Sequence, residues 1–405
     1  MKKILIVASD VALPGEKGLA RLHYLAEYFC GRGYAVELAT ADFQHWEKRR
    51  RTAADLERAQ EKSAAKLTLL HEWGYKRNVE PRRILSLAGL SRRMGRYLKT
   101  AEYDLIYALV PDNRLAYVAG KRAKARGVPF VVDVEDLWPE AMRMVFDVPV
   151  VSDLIFSYFT FFAKRVYRLA DAVVGSSETY ADEPMKYGVK PEKRAVVYVG
   201  CDLAEFDRGA AKFAGETQKP EDAFRVSYAG TLGTSYDLKT LLDAVTLLHR
   251  RGLTQIVPVI MGDGPDRAAL EKHAQEIGVP AVFTGYLPRE RMAAMLCAGD
   301  LTVNSLIAKA SQSIVSKIGD YLAAGVPMVN TGLDPEFCRK TEADGFGVNV
   351  KPEDAEALAD AIETLYRDPE RRAEMGRAAR NIAETQFDRE KTYERIVALA
   401  EELLA

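Results

Sequence analysis

Cysteine, histidine and long apolar runs are all scarce in this chain of 405 residues, and each scarcity excludes something. Its four cysteines, Cys30, Cys201, Cys297 and Cys338, lie far apart and spell out neither a disulfide framework nor a Cys-x-x-Cys motif. Reduced thiols in a cytoplasmic protein are the expectation. Only five histidines are present and none falls at metal-ligand spacing, so a metal-independent protein without a cofactor is expected. No segment approaches the about 18 uninterrupted apolar residues of a membrane span. Met1-Lys2-Lys3 leads straight into Ile4-Leu5-Ile6-Val7, which is too short for the apolar region of a signal peptide. An excess of one charge is missing too. The net charge is −1, and no nucleic-acid recognition module is visible, so no nucleic-acid partner is expected.

The length suits two domains, each able to build its own core. Nearly continuous Val/Ile/Leu/Ala runs predict buried parallel strands at Lys3–Ala8, Ala35–Thr40, Asp104–Ala108, Phe130–Val134, Ala172–Ser176 and Ala195–Val199. The second half predicts strands at Val226–Ala229, Gln255–Met261, Ala281–Thr284, Leu301–Asn304, Val326–Asn330 and Gly347–Val350. Each half opens on strand, glycine turn, helix. The first has Leu13-Pro14-Gly15-Glu16-Lys17-Gly18 before a helix at Leu19–Gly31, and the second has Gly230-Thr231-Leu232-Gly233 before a helix at Leu238–Arg250. That pattern reads as two Rossmann-like α/β domains. The expected boundaries are residues 1–206, a Gly/Ala/Lys/Glu-rich linker at Asp207–Asp222, and residues 223–387, followed by a helical tail at 388–405.

Charge is unevenly placed. From His45 to Lys99 there are fifteen Lys and Arg against six Asp and Glu. Interleaved apolar residues, including Leu67, Leu69, Leu70, Trp73, Ile84 and Leu85, predict amphipathic helices here. Arg49, Arg50, Arg51, Arg82 and Arg83 are the candidates for a face that meets anionic lipid or a lipid-diphosphate acceptor, with a solvated helical insertion as the alternative. The aromatic-rich stretch Leu154–Leu169 reads as a core helix, with a lipid-facing role as the alternative because apolar residues occupy nearly every side.

The chemistry concentrates in residues 313–327, SIVSKIGDYLAAGVP. Ser316 and Lys317 stand where an apolar helix is predicted to begin, and Asp320 follows one turn later on the same face. A helix start and an ammonium suit a diphosphate, and a carboxylate suits a ribose diol. Two further motifs accompany it, Gly262-Asp263-Gly264-Pro265 and Phe283-Thr284-Gly285-Tyr286-Leu287-Pro288. Together they resemble the GT4 family of retaining GT-B glycosyltransferases. The resemblance implies the GT-B fold, two Rossmann-like domains with a cleft between them, and a tail crossing back to the first domain. It implies a nucleotide-sugar site built from Gly15, Gly18, Gly230, Thr231, Gly233, Gly262, Tyr286, Leu287, Gln312, Ser316, Lys317 and Asp320, with Tyr286 and Leu287 flanking the base. Arg21 would reach an anionic group.

Two departures from that family stand out. The Gly230 loop of many members carries an Arg and a Lys for the diphosphate, where this chain has Thr231 and Tyr236. The acidic residue eight positions before Asp320 is replaced by Gln312, which excludes a protein nucleophile there. Asp136-Leu137-Trp138-Pro139-Glu140 resembles a subgroup that builds bacterial O-antigen, capsule and exopolysaccharide. There Glu135 would contact donor or acceptor hydroxyls. Asp136 would position the acceptor or act as its base, or else cap a helix. The resemblance therefore implies retaining transfer from a nucleotide-sugar, a UDP-sugar first, to a lipid-linked or saccharide acceptor, with Lys317 stabilising the departing diphosphate. Its place would be the inner face of the cytoplasmic membrane, as a peripheral protein. The rivals are an enzyme for a small-molecule acceptor or a UDP-sugar epimerase, and a degenerate binding or scaffold subunit.

Overall fold

The structure is a computed structural model that describes all residues except 17, 19, 79, 139–150 and 311–313, and the side chains of 151–155. The chain divides into two compact units, residues 1–197 with 393–405, and residues 198–392.

The first unit holds β1 (Lys3–Val7), β2 (Ala35–Ala41), β3 (Phe43–Gln44), β4 (Arg49–Arg50), β5 (Lys66–Leu70), β6 (Leu105–Val110), β7 (Phe130–Val134), β8 (Ala172–Gly175) and β9 (Arg194–Val196). Seven of them form a sheet in the order β5-β2-β1-β6-β7-β8-β9, and β3 pairs with β4 as a short antiparallel ribbon. Each pairing in the large sheet is parallel. Both faces are buried, which is why the strands read as unbroken apolar runs rather than alternating ones. Ile4 and Ile6 enter one core with Leu22, Leu25 and Phe29, and Leu5 and Val7 enter the other with Leu90, Met94 and Leu115. The tail helix Glu394–Leu404 belongs to this unit, and Ile396, Val397 and Ala400 join the first of these cores.

The second unit holds β10 (Phe224–Ala229), β11 (Ile256–Met261), β12 (Val282–Gly285), β13 (Leu301–Asn304), β14 (Met328–Asn330) and β15 (Gly347–Asn349). They form one parallel sheet in the order β12-β11-β10-β13-β14-β15. In both sheets the strand order reverses beside the first strand of the unit, between β1 and β6 and between β10 and β13. In such doubly wound sheets, ligands lodge outside the carboxyl ends of the strands at that reversal.

Three expectations need correction. The stretch Asp207–Asp222 is not simply a linker: the helix Leu203–Phe213 runs into it and belongs to the second unit. Its Gly/Ala/Lys/Glu composition also suits a helix whose Gly209 lets another helix approach, for a Cβ there would meet Glu290 Cα at 2.5 Å. Leu67, Leu69 and Leu70 are not helical. They lie on β5, an edge strand beside β2, where Lys-Leu-Thr-Leu-Leu alternates at the strand period at its start. The helix expected to begin at Ser316 is shorter, Ile318–Ala323, with Ser316 and Lys317 in the turn before it.

Candidate functional site

In the second unit, the loops after β10 and β11 interlock. Gly230 N–H donates to Met261 O (2.9 Å), Gly262 N–H to Gly285 O (2.9 Å) and Leu232 N–H to Asp263 O (3.0 Å). The backbones pass so closely that a Cβ on Gly262 would stand 1.8 Å from Gly230 O, and one on Gly264 would stand 2.2 Å from Leu232 O. Tyr321, in the helix Ile318–Ala323, is fully buried. Its hydroxyl donates to Ala229 O (3.0 Å) and accepts from Ala229 N–H (2.7 Å), which ties that helix to the end of β10.

Lys317 stands against this assembly. Its Nζ is 3.4 Å from where a Cβ of Gly230 would be. It lies 4.0 Å from the ring centre of Tyr228 and 3.9 Å from that of Tyr236. The rest of the residue is partly exposed, but the ammonium is buried and has no hydrogen-bond partner among the described residues. Burial pushes its pKa well below the usual lysine value, and no carboxylate among the described residues restores it. Two ring faces offset part of the desolvation cost, at about 2 kcal/mol each. An ammonium in this state is either neutral or awaiting an anion.

Asp320 has a partner already. Arg289 Nη2 donates to its Oδ1 (2.9 Å), so the carboxylate expected for a ribose diol is engaged on one oxygen. Tyr286 follows β12 and is 58% exposed, so it is not packed in the core. Leu287 beside it is half-buried, Thr231 and Ser316 are exposed, and Gly233 is half-buried.

In the first unit, the carboxyl ends of β1, β6 and β7 surround a cavity of about 160 Å³. Glu135 and Trp138 line it together with Asp10, Glu72, Tyr75 and Asp112. Glu135 also forms an ion pair with Arg21 (3.0 Å).

Comparison with known proteins decides the family. Residues 19–200 match the glycosyl transferase 4-like domain, and residues 210–382 match the glycosyl transferases group 1. The chain belongs to the GT4 family of GT-B glycosyltransferases. It is similar to sulfoquinovosyl transferase SQD2 of Arabidopsis thaliana, at 28% identity over 42% of this chain and 31% of that protein. It is also similar to lipopolysaccharide core biosynthesis glycosyltransferase LpsE of Rhizobium meliloti, at 26% identity over 55% of this chain and 62% of that protein. The chain thus spans less than two thirds of the length of either relative. Its fold matches the crystal structure of Anabaena HepE in complex with UDP, with a TM-score of 0.71 at 18% identity over 99% of this chain and 100% of that one.

Within this GT4 chain the expected residues divide. Gly230, Thr231, Gly233, Gly262, Tyr286, Leu287, Ser316, Lys317 and Asp320 all belong to the second unit, on turns around β10 to β12 or in residues 316–320. Gly15 and Gly18 belong to the first unit. Gly15 (φ +87°) faces open space, while a Cβ on Gly18 would strike Trp46 at 2.7 Å. Gln312, Lys17, Pro139 and Glu140 lie outside the described residues. Asp136 accepts from Trp138 Nε1 (3.2 Å) and from Leu137 N–H (2.9 Å), which ties it to the tryptophan beside the cavity.

The basic residues are corrected most sharply. Arg51 is no lipid contact. Its guanidinium is buried and donates to Glu16 (2.7 Å), Val11 O (2.6 Å) and Ala41 O (2.7 Å). Arg83 lies over the rings of Tyr75 and Trp138 (5.3 and 5.1 Å) and lines the cavity. Arg49 pairs with Asp55 (2.9 Å), Arg50 with Asp42 (2.6 Å), and Arg82 donates to Gly74 O (3.1 Å). Arg21, expected to reach a ligand anion, is 1% exposed and bridges to Asp133 through two nitrogens (3.1 and 3.2 Å). The residues missed from sequence are Tyr228 and Arg289, and Tyr236 was read only as the place of an absent cation, because nothing local marks a partner that lies dozens of positions away.

Proposed function

We propose that this protein transfers a sugar from a nucleotide-sugar, a UDP-sugar first, to a hydroxyl of a saccharide or lipid-linked acceptor in surface polysaccharide synthesis. The observation that carries it is the buried ammonium of Lys317, without a hydrogen-bond partner among the described residues, against the two interlocked glycine turns of the second unit. A diphosphate supplies the negative charge that this ammonium lacks. The same charge then stabilises the leaving group as the glycosidic bond to the donor breaks. Tyr236, where the family resemblance implies a cation, fits this reading: its ring lies against the ammonium instead of adding a second charge. HepE with UDP bound and the lipopolysaccharide role of LpsE support the choice of donor and product class. Retention would follow the family pattern, with the acceptor attacking on the leaving-group face and a phosphate oxygen taking its proton.

Binding should be linked to protons. The free ammonium has a lowered pKa, and a bound diphosphate raises it again, so between those two values binding draws a proton from solvent. Calorimetry of UDP binding at pH 8 in Tris and in HEPES is expected to give heats that differ with the sign of proton uptake. Buffer-independent heats, together with unaltered affinity in Lys317→Met, would count against the assignment.

We further propose peripheral attachment to anionic membrane through the helix Pro81–Tyr97. Among the described residues no helix is long and apolar enough to cross a membrane. One face of this helix presents Arg82, Leu85, Arg92 and Arg96, all exposed, with Leu85 61% exposed and the half-exposed Trp73 lying against Gly89. Apolar side chains beside exposed arginines suit a headgroup layer, at about 1 kcal/mol per charge. Co-sedimentation with phosphatidylglycerol vesicles is expected to fall several-fold in Arg92→Glu/Arg96→Glu and at high salt. Unchanged partitioning in both conditions would argue for a merely solvated helix.

A further inference from the structure

Among the described residues, three groups that surround the ammonium of Lys317 are fixed. The backbone of Gly230 is held by its hydrogen bond to Met261 O (2.9 Å), and Nζ lies 3.4 Å from where a Cβ of that glycine would be. Tyr228, with its ring centre 4.0 Å from Nζ, is fully buried on β10 and donates its hydroxyl to Thr231 O (2.8 Å). Tyr321, 6.0 Å away, is fully buried and bonded to both the N–H and the carbonyl of Ala229. Turning either ring out would break hydrogen bonds inside the second unit.

Tyr236 differs from these. Its ring centre is 3.9 Å from Nζ, as close as that of Tyr228, yet it stands on the loop between β10 and the helix Leu238–Arg250 and is only partly buried. Its hydroxyl holds no hydrogen bond among the described residues. The main chain on either side is tied down. Asp237 O accepts from the Ser305 hydroxyl (2.6 Å), and Ser235 O accepts from Ile307 N–H (3.3 Å). The Asp237 carboxylate caps the helix by accepting from Thr240 N–H (3.2 Å). The loop is therefore held, while the Tyr236 side chain can change rotamer without breaking a hydrogen bond. A diphosphate oxygen must come within about 3 Å of Nζ to bond it. Nζ is buried, with the Tyr236 ring lying over it. A ring face is a weaker partner for an ammonium than a charged oxygen, so the one is exchangeable for the other.

We propose that Tyr236 is a positioning residue: its ring holds the ammonium of Lys317 against Gly230 in the empty site and turns aside when a diphosphate takes its place. The identity of that anion rests on the transfer reading above, whereas the cover does not. Reductive methylation of the full chain near pH 8, read by mass spectrometry, tests it. An amine of lowered pKa reacts fast once reagent reaches it, so slow labelling reports cover and not charge. Lys317 is expected to label slowly in the wild type and in Tyr236→Phe, which keeps the ring, and about tenfold or more faster in Tyr236→Leu. UDP is expected to slow the labelling of Tyr236→Leu again. A second measurement needs no variant to fold differently: with 3-fluorotyrosine incorporated in the wild-type chain, the fluorine resonance that Tyr236→Phe removes is expected to shift on saturation with UDP. Equal labelling of Lys317 in wild type and in Tyr236→Leu of matched melting temperature overturns the proposal, and so does a Tyr236 resonance that bound UDP leaves in place. UDP that does not bind at all strikes the transfer reading and the displacement with it, and the labelling difference alone then decides the cover.

Discussion

Replacing Lys317 with methionine is expected to lower kcat/KM for the active nucleotide-sugar by roughly 10²-fold or more, while the unliganded protein melts no lower than wild type. The two halves of this result come from one cause. The ammonium is buried against Tyr228 and Tyr236 with no hydrogen-bond partner among the described residues, so the empty site carries an uncompensated desolvation cost. Methionine keeps most of the stem and removes that cost. The sign with pH follows. The folded pKa lies below the unfolded one, so between them the unfolded chain binds more protons, and wild-type stability rises with pH across that window. The methionine variant should lose this slope. Donor turnover together with melting curves from pH 7 to 10 checks both halves. A variant that turns over donor normally would refute the role of Lys317. A variant that is inactive but markedly destabilised would make the residue structural.

Gly262→Ala should cost about 4 kcal/mol or more and disrupt the second unit. At φ +138° an alanine is strained before any contact is considered, and its Cβ would stand 1.8 Å from Gly230 O. The obstacle is backbone, which cannot rotate aside. Gly230 in turn is held by its own bond to Met261 O and by the end of β10. Gly278→Ala is the control. It also has positive φ (+72°), but a Cβ there meets open space, so only the about 1–2 kcal/mol of left-handed strain is expected. Chemical denaturation resolves the pair, and equal losses in the two variants would contradict the close-approach account.

Much of the architecture was legible because it is written locally. A strand buried on both faces must be apolar throughout, so β1, β2, β6 and β7 announced themselves as unbroken runs. Turns that need positive φ or close backbone approach need glycine, so Gly230 and Gly262 stood out beside their strands. β5 was misread because an edge strand with one Lys and one Thr resembles a helix face at short length. The basic segment was misread for a different cause. Arginine codes equally for an exposed surface, a buried ion pair and a ring contact, and Arg92, Arg51 and Arg83 turn out to be one of each.

The sequence alone determined that the chain forms two parallel α/β units with glycine turns after their first strands, and that a lysine stands near one of them. Those features depend on neighbours a few residues apart. Only the tertiary structure decided that Arg21 is committed to Asp133, that Asp320 is held by Arg289, that Tyr228 and Tyr236 cover Lys317, and that Asp10, Glu72 and Asp112 share a cavity. Which charge finds a partner, and which is left to meet a ligand, depends on contacts between residues 31 to 112 positions apart in these pairs. Burial then sets the energy of each charge, and burial is a property of the packed chain that no local stretch specifies.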